Sequence, residues 1–201
     1  MHFRWLPGPL RGVLSLVGYI VNTLFWCTPL FLFALLKALI PIDGWRRLCS
    51  RVVNGAATRW IGLNNLNQRL TSRTRWEVRG LDALSTDGWY MVVANHQSWV
   101  DILVLQRIFH GRIPFLKFFL KKELFWFPIM GLAWWALDFP FMKRYSKAFL
   151  KKNPHLAGRD LEITRKACEK FKTIPVSIMN FVEGTRFTKV KHARQRSPYT
   201  H

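Results

Sequence analysis

The stretch from Trp89 to Asp101 reads Trp-Tyr-Met-Val-Val-Ala-Asn-His-Gln-Ser-Trp-Val-Asp, and it joins a dense apolar run to a polar turn. The apolar run Trp89–Ala94 follows an Asp-Gly pair and is rich in β-branched and aromatic residues, which predicts a buried strand. Apolar residues then return at helical spacing from Ser98 to Phe109, which predicts a helix. A buried strand that passes through a polar turn into a helix is typical of α/β folds.

The same alternation of apolar strands and helical segments continues along the chain after residue 75. An amphipathic helix is predicted over Asp160–Phe171, where apolar side chains share one face. Pro140 demotes the strand in which it lies to an edge or a bend. The sequence therefore predicts a sheet covered by helices. The further predicted strands are Arg75–Arg79, Ile113–Lys117, Leu137–Met142 and Ile174–Val182.

The N-terminal region is apolar enough to anchor the chain in a membrane. The run Val13–Leu36 carries no charge and exceeds the about 20 residues that a spanning helix needs. More basic residues follow this run than precede it, which favours a cytoplasmic location for what lies behind it. Asn22 and Pro29 interrupt the run, so two shorter interfacial helices, or a buried soluble helix, are alternatives. We expect residues 1–60 to form a hydrophobic helical anchor, residues 61–75 to be a connector or helix end, and residues 61–201 to form the main domain.

The composition combines a strong positive charge with many aromatic residues. The 201-residue chain has 31 Lys and Arg against 11 Asp and Glu, a formal charge of +20, and 15% of its residues are aromatic. This content excludes a disordered basic tail and suits a membrane interface. Nucleic acid, anionic lipid and phosphorylated substrates are all attracted by a basic surface, and charge alone does not choose among them. The three cysteines are far apart and indicate neither a disulfide framework nor a metal site.

The turn after the first strand holds a histidine and an aspartate five residues apart. Asp101 can reach back to one ring nitrogen of His96, which would fix the tautomer and leave the other nitrogen to take a proton. Ligands collect at this edge of α/β sheets. Two structural alternatives stay open, because Ser98 and Asp101 also fit a capping box and His96 could be a core histidine. The chain has no Gly-x-Ser-x-Gly elbow, which disfavours a serine hydrolase.

A second candidate, Phe181-Val-Glu-Gly-Thr-Arg186, lies at the end of the last apolar strand. Gly184 permits a sharp turn, and the guanidinium of Arg186 offers a fork of donors that matches a phosphate. The alternative is an ordinary turn in which Glu183 and Arg186 form a solvated pair. A third candidate is a basic pair after an apolar segment, which suits an anion site or a simple basic turn: Lys143 and Arg144.

Three ordered blocks make the sequence resemble the glycerolipid acyltransferase family, specifically bacterial 1-acyl-sn-glycerol-3-phosphate acyltransferases of the lysophospholipid acyltransferase type. The third family block, Phe-x-Glu-Gly-Thr-Arg, is matched by residues 181–186. In the middle block, Phe141 and Arg144 match Gly-x-(Ile/Val)-Phe-Ile-x-Arg, and Asp138 stands in place of its glycine. The segment 122–124, followed by Pro128 and Gly131, also resembles a Lys-Lys-Glu-Leu stretch of the family. The first block, Asn-His-x-Ser-x-x-Asp, is matched by Asn95, His96, Ser98 and Asp101.

The resemblance implies a mixed sheet covered by helices, like that of glycerol-3-phosphate acyltransferase, preceded by the membrane anchor. It implies transfer of a fatty acyl group from a thioester to the sn-2 hydroxyl of a lysophospholipid, most directly 1-acyl-glycerol-3-phosphate to phosphatidate. His96 would be the general base and Asp101 its orienting carboxylate, with Asn95 and Ser98 in support. The substrate-binding residues that it implies are Lys143, Arg144, Glu183, Gly184, Thr185 and Arg186.

The resemblance also implies partners and a location. It implies neither metal nor cofactor, acyl-CoA or acyl carrier protein as co-substrate, membrane lipids as partners, and the bacterial inner membrane with the catalytic domain on the cytoplasmic side. Backbone N–H groups at the start of the 98–109 helix, or at Gly184, are the expected oxyanion donors. Since the family pattern continues past the third block, we expect a C-terminally truncated or shortened member.

Two alternatives stand beside this function. One is a truncated, non-catalytic homologue that only sits on the membrane. The other is a basic membrane-associated nucleic-acid-binding protein, which is disfavoured because the sequence carries no recognisable nucleic-acid-binding module.

Aromatic and basic residues are mixed between residues 117 and 135. We expect them to form an interfacial belt at the membrane surface, and the alternative is an ordinary packed core. The members are Phe118, Phe119, Phe125, Trp126, Phe127, Trp134 and Trp135, with Lys117, Lys121 and Lys122.

Overall fold

The computed structural model of the chain describes residues 5–142, 151–153, 158, 162, 165, 168–169, 171 and 175–193. Two long helices come first, and a small parallel sheet with shorter helices follows. The helices are α1 (Gly8–Leu39), α2 (Asp43–Thr71), α3 (Asp101–Phe109), α4 (Met130–Ala136) and α5 (Lys189–Ala193), with a 3₁₀ helix at Lys122–Trp126. The strands are β1 (Tyr90–Ala94), β2 (Leu116–Phe118), β3 (Leu120–Lys121), β4 (Phe141–Met142) and β5 (Ser177–Phe181).

Helices α1 and α2 run antiparallel and meet along a seam of polar side chains. Asn22 donates one hydrogen bond to Oδ1 of Asn64 (2.7 Å) and another to the carbonyl of Trp60 (2.9 Å). Further along the seam, the amide of Asn67 donates to the carbonyl of Ser15 (2.9 Å). Buried amides need such partners. The polar side of α1 is therefore directed at α2, and large apolar side chains on its other side are exposed.

The uncharged N-terminal run forms one helix rather than two. Helix α1 continues through Pro29, and it is long and apolar enough to cross a membrane. Of the two interpretations of residues 61–75, the helix end is confirmed, because α2 extends as far as Thr71. Its amide side chains resemble loop composition, but several of them serve the seam with α1 instead.

The main sheet has three strands in the order β1-β5-β2, with β5 in the centre. Both of its strand pairs are parallel, and the register pairs Ala94 of β1 with Phe181 of β5. Strands β3 and β4 form a separate parallel pair. The predicted α/β class is confirmed, and every strand pair in the described residues is parallel, whereas the sequence-based expectation was a mixed sheet.

Most predicted strands occur with shifted or shorter bounds. The predicted strands Trp89–Ala94 and Ile174–Val182 contain β1 and β5, respectively. The strand Ile113–Lys117 overlaps β2 only at its end, and Leu137–Met142 is reduced to β4. The amphipathic helix predicted over Asp160–Phe171 lies mostly outside the described residues.

The strand predicted over Arg75–Arg79 is wrong, because these residues form no regular structure. Their alternating pattern has a different cause. Trp76 is half-buried because it packs under the guanidinium of Arg107, which lies 4.5 Å from the ring centroid. The alternation of apolar and charged residues in this segment therefore reflects the packing of Trp76 and does not indicate a strand.

One apolar core joins the sheet to the long helices. Met179, in the centre of β5, is only 1% exposed. The same cluster includes Leu30 of α1, Val53 of α2 and Ala133 of α4. The helix pair therefore shares one core with the sheet that carries the sequence blocks, since α1 packs against α4 and α2 packs against α3.

Residues with left-handed backbone flank α4. Ile129 (φ 63°) precedes the helix and Asp138 (φ 59°) follows it. Asp138 occupies the position at which the family block has glycine, and glycine is the residue that adopts this conformation without steric cost. Its carboxylate also forms an ion pair with Lys37 at the end of α1 (3.1 Å), which ties the end of α4 to α1.

The predicted aromatic and basic belt divides into buried and exposed parts. Phe118 and Lys117 are buried in β2, so their assignment to a surface belt is wrong. The ammonium of Lys117 donates to the carbonyl of Leu137 (2.5 Å) and lies 5.0 Å from the ring centroid of Phe171, which gives a buried cation partners. A short strand with helices on both sides is buried on both faces. The exposed aromatic members are Trp126, Phe127 and Trp135.

Gly131 lets α4 begin close against the 3₁₀ helix. A Cβ atom at this position would lie 1.9 Å from the carbonyl oxygen of Phe125. We expect Gly131→Ala to push the backbone apart and to lower the free energy of unfolding by about 1–3 kcal/mol, the usual cost of overpacking. Gly12→Ala is the control, since nothing lies within 4 Å of its added Cβ atom. Chemical unfolding in mild detergent compares the two variants, and equal stability would contradict the close approach.

Candidate active site

The ends of β1 and β5 bring the first and third sequence blocks together. Ala94 and Phe181, the last residues of these strands, are partners in the parallel register. The loops that follow are joined as well, because the N–H of Phe187 donates a hydrogen bond to the carbonyl of His96 (2.7 Å). Two blocks that are far apart in the sequence therefore share one edge of the sheet, where α/β folds bind ligands.

His96 and Asp101 form a hydrogen-bonded pair at this edge. Nδ1 of the imidazole lies 3.0 Å from Oδ2 of the carboxylate. The same oxygen accepts hydrogen bonds from the N–H groups of Gln97 (2.7 Å) and Ser98 (2.8 Å). When Nδ1 of a neutral imidazole faces an acceptor, it carries the proton, and Nε2 keeps its lone pair. This arrangement can hold a histidine ready to accept a proton.

The surroundings of Asp101 favour its charged form. Partial burial would raise the pKa of this carboxyl, but hydrogen bonds from the N–H of Ser98, from His96 and from the N–H of Gln97 outweigh burial and lower the pKa below its ordinary value. The side chains of His96 and Asp101 are 14% and 21% exposed, so solvent screens the pair only partly. A carboxylate that is charged at neutral pH stabilises a positively charged imidazole beside it.

Aromatic packing fixes the plane of the imidazole. The ring of His96 stacks on that of Phe181, with centroids 4.0 Å apart and planes inclined by 16°. Phe181 in turn stacks loosely on Phe118 of the core, at 6.3 Å. The imidazole is therefore held by Asp101 at Nδ1 and by the ring of Phe181, the last residue of β5, at one face.

Asp101 also serves the start of α3, as the capping alternative predicts. Its carboxylate accepts from the N–H of Ser98, which is one half of a capping box. The hydroxyl of Ser98 accepts from the N–H of Val100 (3.2 Å). One carboxylate oxygen thus begins a helix and orients an imidazole, so the structural and catalytic interpretations do not exclude each other.

Several backbone donors at this edge form hydrogen bonds inside their own loops. The N–H groups of Gln97 and Ser98 donate to Asp101. The N–H of Gly184 donates to the carbonyl of Phe181 (2.9 Å). Among the expected oxyanion donors, the N–H groups of Ser98 and Gly184 therefore already stabilise their own turns, and an oxyanion site at the start of α3 stays a prediction.

The third block forms a tight turn that presents cations. Gly184 has a left-handed backbone (φ 64°), as the sharp turn requires. The guanidinium of Arg186 lies over the indole ring of Trp99, 4.2 Å from its centroid. The ammonium of Lys191 donates to Oγ1 of Thr185 (2.5 Å) and to the carbonyl of Arg186 (3.2 Å). Two positive charges therefore lie at the loop that is tied to His96: Arg186 on the loop itself and Lys191 on α5, which bonds to the loop.

Two residues at this edge have no role in the sequence-based interpretation. Trp99 lies inside the first block, and an exposed aromatic residue beside an arginine-containing block was an available signal for a cation–π contact. Lys191 had no such signal, because it is one of many basic residues near the C-terminal end. Only the loop geometry distinguishes it from the others.

The remaining predicted site residues are less constrained. Asn95 and Glu183 are exposed on the two loops, whereas Ser98, although exposed, is held by its bonds to Asp101 and Val100. Lys143 and Arg144 lie outside the described residues. Within the part of the chain that the structure describes, no group of three or more His, Cys, Asp or Glu side chains is arranged to hold a metal ion.

Known sequences identify the class of protein that carries such a site. Residues 75–199 match the family model described as Acyltransferase. The human and bovine proteins called 1-acyl-sn-glycerol-3-phosphate acyltransferase alpha are each 31% identical over 113 residues, which are 56% of this chain and 35% and 34% of those proteins. The chain thus matches roughly a third of the length of these curated relatives.

The fold is also similar to a solved structure, that of the 1-acyl-sn-glycerophosphate (LPA) acyltransferase from Thermotoga maritima. The TM-score is 0.56 at 21% sequence identity, and the match covers 91% of this chain and 65% of that chain. At this identity the likeness concerns the fold. Because the family model matches more than half of the chain, the chain belongs to the acyltransferase family, as the sequence blocks predicted.

The lowered pKa of Asp101 predicts a dependence of stability on pH. A carboxyl whose pKa is lowered by folding contributes its full stabilisation above its ordinary pKa and loses it as the pH falls through the lowered pKa. We expect Asp101→Asn to lower the free energy of unfolding by about 1 kcal/mol at pH 6, as loss of a helix cap does. This difference should shrink below about pH 4.

Denaturant unfolding of both proteins at pH 6 and at acidic pH measures the difference, with Asp82→Asn as the control at an exposed aspartate. A difference between wild type and Asp101→Asn that grows on acidification would contradict the role of the charged carboxylate.

Proposed function

We propose that this protein transfers a fatty acyl group from a thioester donor to the free hydroxyl of a lysophospholipid, most directly converting 1-acyl-glycerol-3-phosphate to phosphatidate. The observation that carries the proposal is the shared loop edge, where the His96–Asp101 pair and Arg186 follow paired strand ends. The acceptor in this reaction has a hydroxyl near a phosphate. The site offers His96 as a base for the hydroxyl and Arg186 as a cation for the phosphate.

In the proposed reaction, Nε2 of His96 accepts the proton of the sn-2 hydroxyl while the hydroxyl oxygen attacks the thioester carbonyl. The tetrahedral intermediate then collapses with cleavage of the carbon–sulfur bond, and the leaving thiolate takes the proton from the imidazolium. The products are the diacylated lipid and a free thiol. The thiol belongs to coenzyme A or acyl carrier protein, and the reaction needs no metal and no redox cofactor.

Asp101 supports both halves of this cycle. Its carboxylate holds the proton on Nδ1, which leaves Nε2 as the base, and it stabilises the imidazolium that forms. General-base catalysis of this kind contributes about 10²- to 10⁴-fold to a rate. The backbone bonds of Gln97 and Ser98 to the same oxygen keep the carboxylate in place, and this is the supporting role that we assign to the first block.

We assign the acceptor phosphate to the third block. The fork of Arg186 matches a phosphate, and this residue is exposed, with its guanidinium over the ring of Trp99. Gly184 provides the turn, Thr185 bonds the second cation, Lys191, and Glu183 helps to orient the polar groups. The family's middle block adds Lys143 and Arg144 by resemblance.

We also propose that the chain works at a membrane, through an N-terminal anchor followed by an acyltransferase domain. The expected boundary between residues 60 and 61 falls inside α2, which continues from Asp43 to Thr71. Helix α1 has the length and hydropathy for a span, and its outward side chains are apolar. The larger basic cluster follows α1, which favours the cytoplasmic side for the catalytic domain. For a bacterial member of the family, this membrane is the inner membrane.

Replacing the imidazole tests the proposed base. We expect His96→Ala to abolish acyl transfer from labelled acyl-CoA across a panel of lysophospholipids. The variant should still sediment with membranes, because α1 and not His96 is the proposed anchor. His110→Ala is the control, since His110 lies at the other end of α3. Unchanged transfer by His96→Ala would refute the assignment, and a wild-type chain without any transfer would favour the non-catalytic alternative.

Replacing the cation tests phosphate binding. We expect Arg186→Ala to raise the KM for 1-acyl-glycerol-3-phosphate about tenfold or more with a smaller change in kcat, because a charge-assisted hydrogen bond is lost. Trp99→Ala should raise the same KM about 2- to 10-fold, in line with the loss of a cation–π contact, and Trp99→Phe should restore most of it. A pure kcat effect of Arg186→Ala in steady-state assays would count against this role.

A further inference from the structure

The segment from the 3₁₀ helix to the end of α4 directs large apolar side chains into solvent. Trp126 is 81% exposed, and Phe127 and Trp135 are each more than half exposed. Contiguous exposed apolar patches mark contact sites for membranes or for other proteins. We call the following five residues the aromatic wedge: Trp126, Phe127, Ile129, Leu132 and Trp135.

Helix α4 has apolar residues on every side. Its inner face, with Ala133 and Trp134, packs towards α1 and lines an apolar cavity of about 110 Å³ together with Trp26 and Leu30 of α1. Leu132 and Trp135 lie on the opposite, exposed face. A helix that is apolar all round is expected inside a protein core or in lipid, and here only the inner face is in a core.

The backbone before α4 is strained in a way that projects the wedge. Ile129 is β-branched, yet its φ of 63° lies in the left-handed region that such residues avoid. On the other side of the turn, Gly131 approaches the carbonyl of Phe125 more closely than any side chain would allow. Strained residues persist where the surrounding structure enforces them, and they cluster at functional segments. The turn therefore combines an unfavourable backbone conformation and a close backbone approach beside its exposed aromatic side chains.

Charge and position indicate what covers the wedge. Lys121 and Lys122 are exposed a few residues before it and outnumber the exposed Glu123 that follows them, as suits the headgroup level of anionic membranes. Helix α4, which carries part of the wedge, packs against α1 through its other face, and Asp138 at its end is paired with Lys37 of α1. Trp in particular favours the boundary between headgroups and acyl chains.

We propose that the aromatic wedge inserts into the interfacial region of the same bilayer that holds α1, as a second membrane contact that fixes the tilt of the catalytic domain. This inference rests on the membrane association in the proposed function, and it adds a surface that α1 does not contain. Lys121 and Lys122 then contact anionic headgroups, and the cavity between α1 and α4 lies at the level of the lipid.

Site-specific photocrosslinking in native membranes tests the wedge. The photoreactive residue p-benzoyl-phenylalanine is introduced in place of Trp126, Trp135, Phe25 or Val78 in the full chain, and adducts are identified by mass spectrometry. Phe25, exposed on α1, reports the anchor alone, and Val78, exposed between charged residues, reports background. We expect lipid adducts at 126 and 135 with a yield at least fivefold above that at 78.

The outcomes separate the two proposals. Lipid adducts at 25 but only background at 126 and 135 overturn the wedge and leave the anchor intact, whereas no lipid adducts at 25 contradict the anchor itself. Protein adducts at 126, either to a second copy or to another protein, also overturn the lipid assignment.

A kinetic measurement provides an independent readout. We expect the double variant Trp126→Ser with Trp135→Ser to raise the KM for lysolipid in anionic vesicles severalfold, and to leave the KM in detergent micelles unchanged. An equal effect in vesicles and micelles would indicate a merely structural role and would overturn the proposal.

Discussion

Parallel pairing of β1 with β5 is the constraint on which the site depends. Because the strands run the same way and Ala94 is opposite Phe181, the residues after each strand must emerge at the same edge of the sheet. The bond from the N–H of Phe187 to the carbonyl of His96 then joins the two loops. A shift of this register by two residues would separate the imidazole from the turn at Gly184, although every residue of both blocks would still be present.

Asp101 has both a structural and a proposed catalytic role. A single carboxylate oxygen accepts two backbone N–H bonds at the start of α3 and also faces Nδ1 of His96. The helix start therefore holds the carboxylate rigidly, and the carboxylate holds the ring. Stacking on Phe181 fixes the remaining freedom of the imidazole. The start of α3 and the orientation of the imidazole depend on the same carboxylate. Both therefore constrain the spacing between His96 and Asp101.

Local patterns predicted the elements that depend on local chemistry. The dense apolar runs around β1 and β5 and the helical spacing of α3 were readable, and the ordered blocks predicted the family. The strand prediction for residues 75–79 was wrong because Trp76 packs against Arg107, which is a contact between residues distant in the sequence. The division of the aromatic belt, the stacking of Arg186 on Trp99 and the position of Lys191 also depend on tertiary contacts, which periodicity does not encode. The glycine that the family has at position 138 is a sequence signal for the left-handed backbone of Asp138. The ion pair between Asp138 and Lys37 has no such signal, because it joins residues far apart in the sequence.

A structure of the protein with lysophosphatidate bound, in the absence of an acyl donor, tests the central claim most directly. The acceptor cannot react alone, so the complex reports the geometry before transfer. The predicted result is a hydroxyl oxygen within about 3.2 Å of Nε2 of His96 and a phosphate in contact with the guanidinium of Arg186. A phosphate bound away from the 183–187 loop, with the hydroxyl beyond reach of the imidazole, would contradict it.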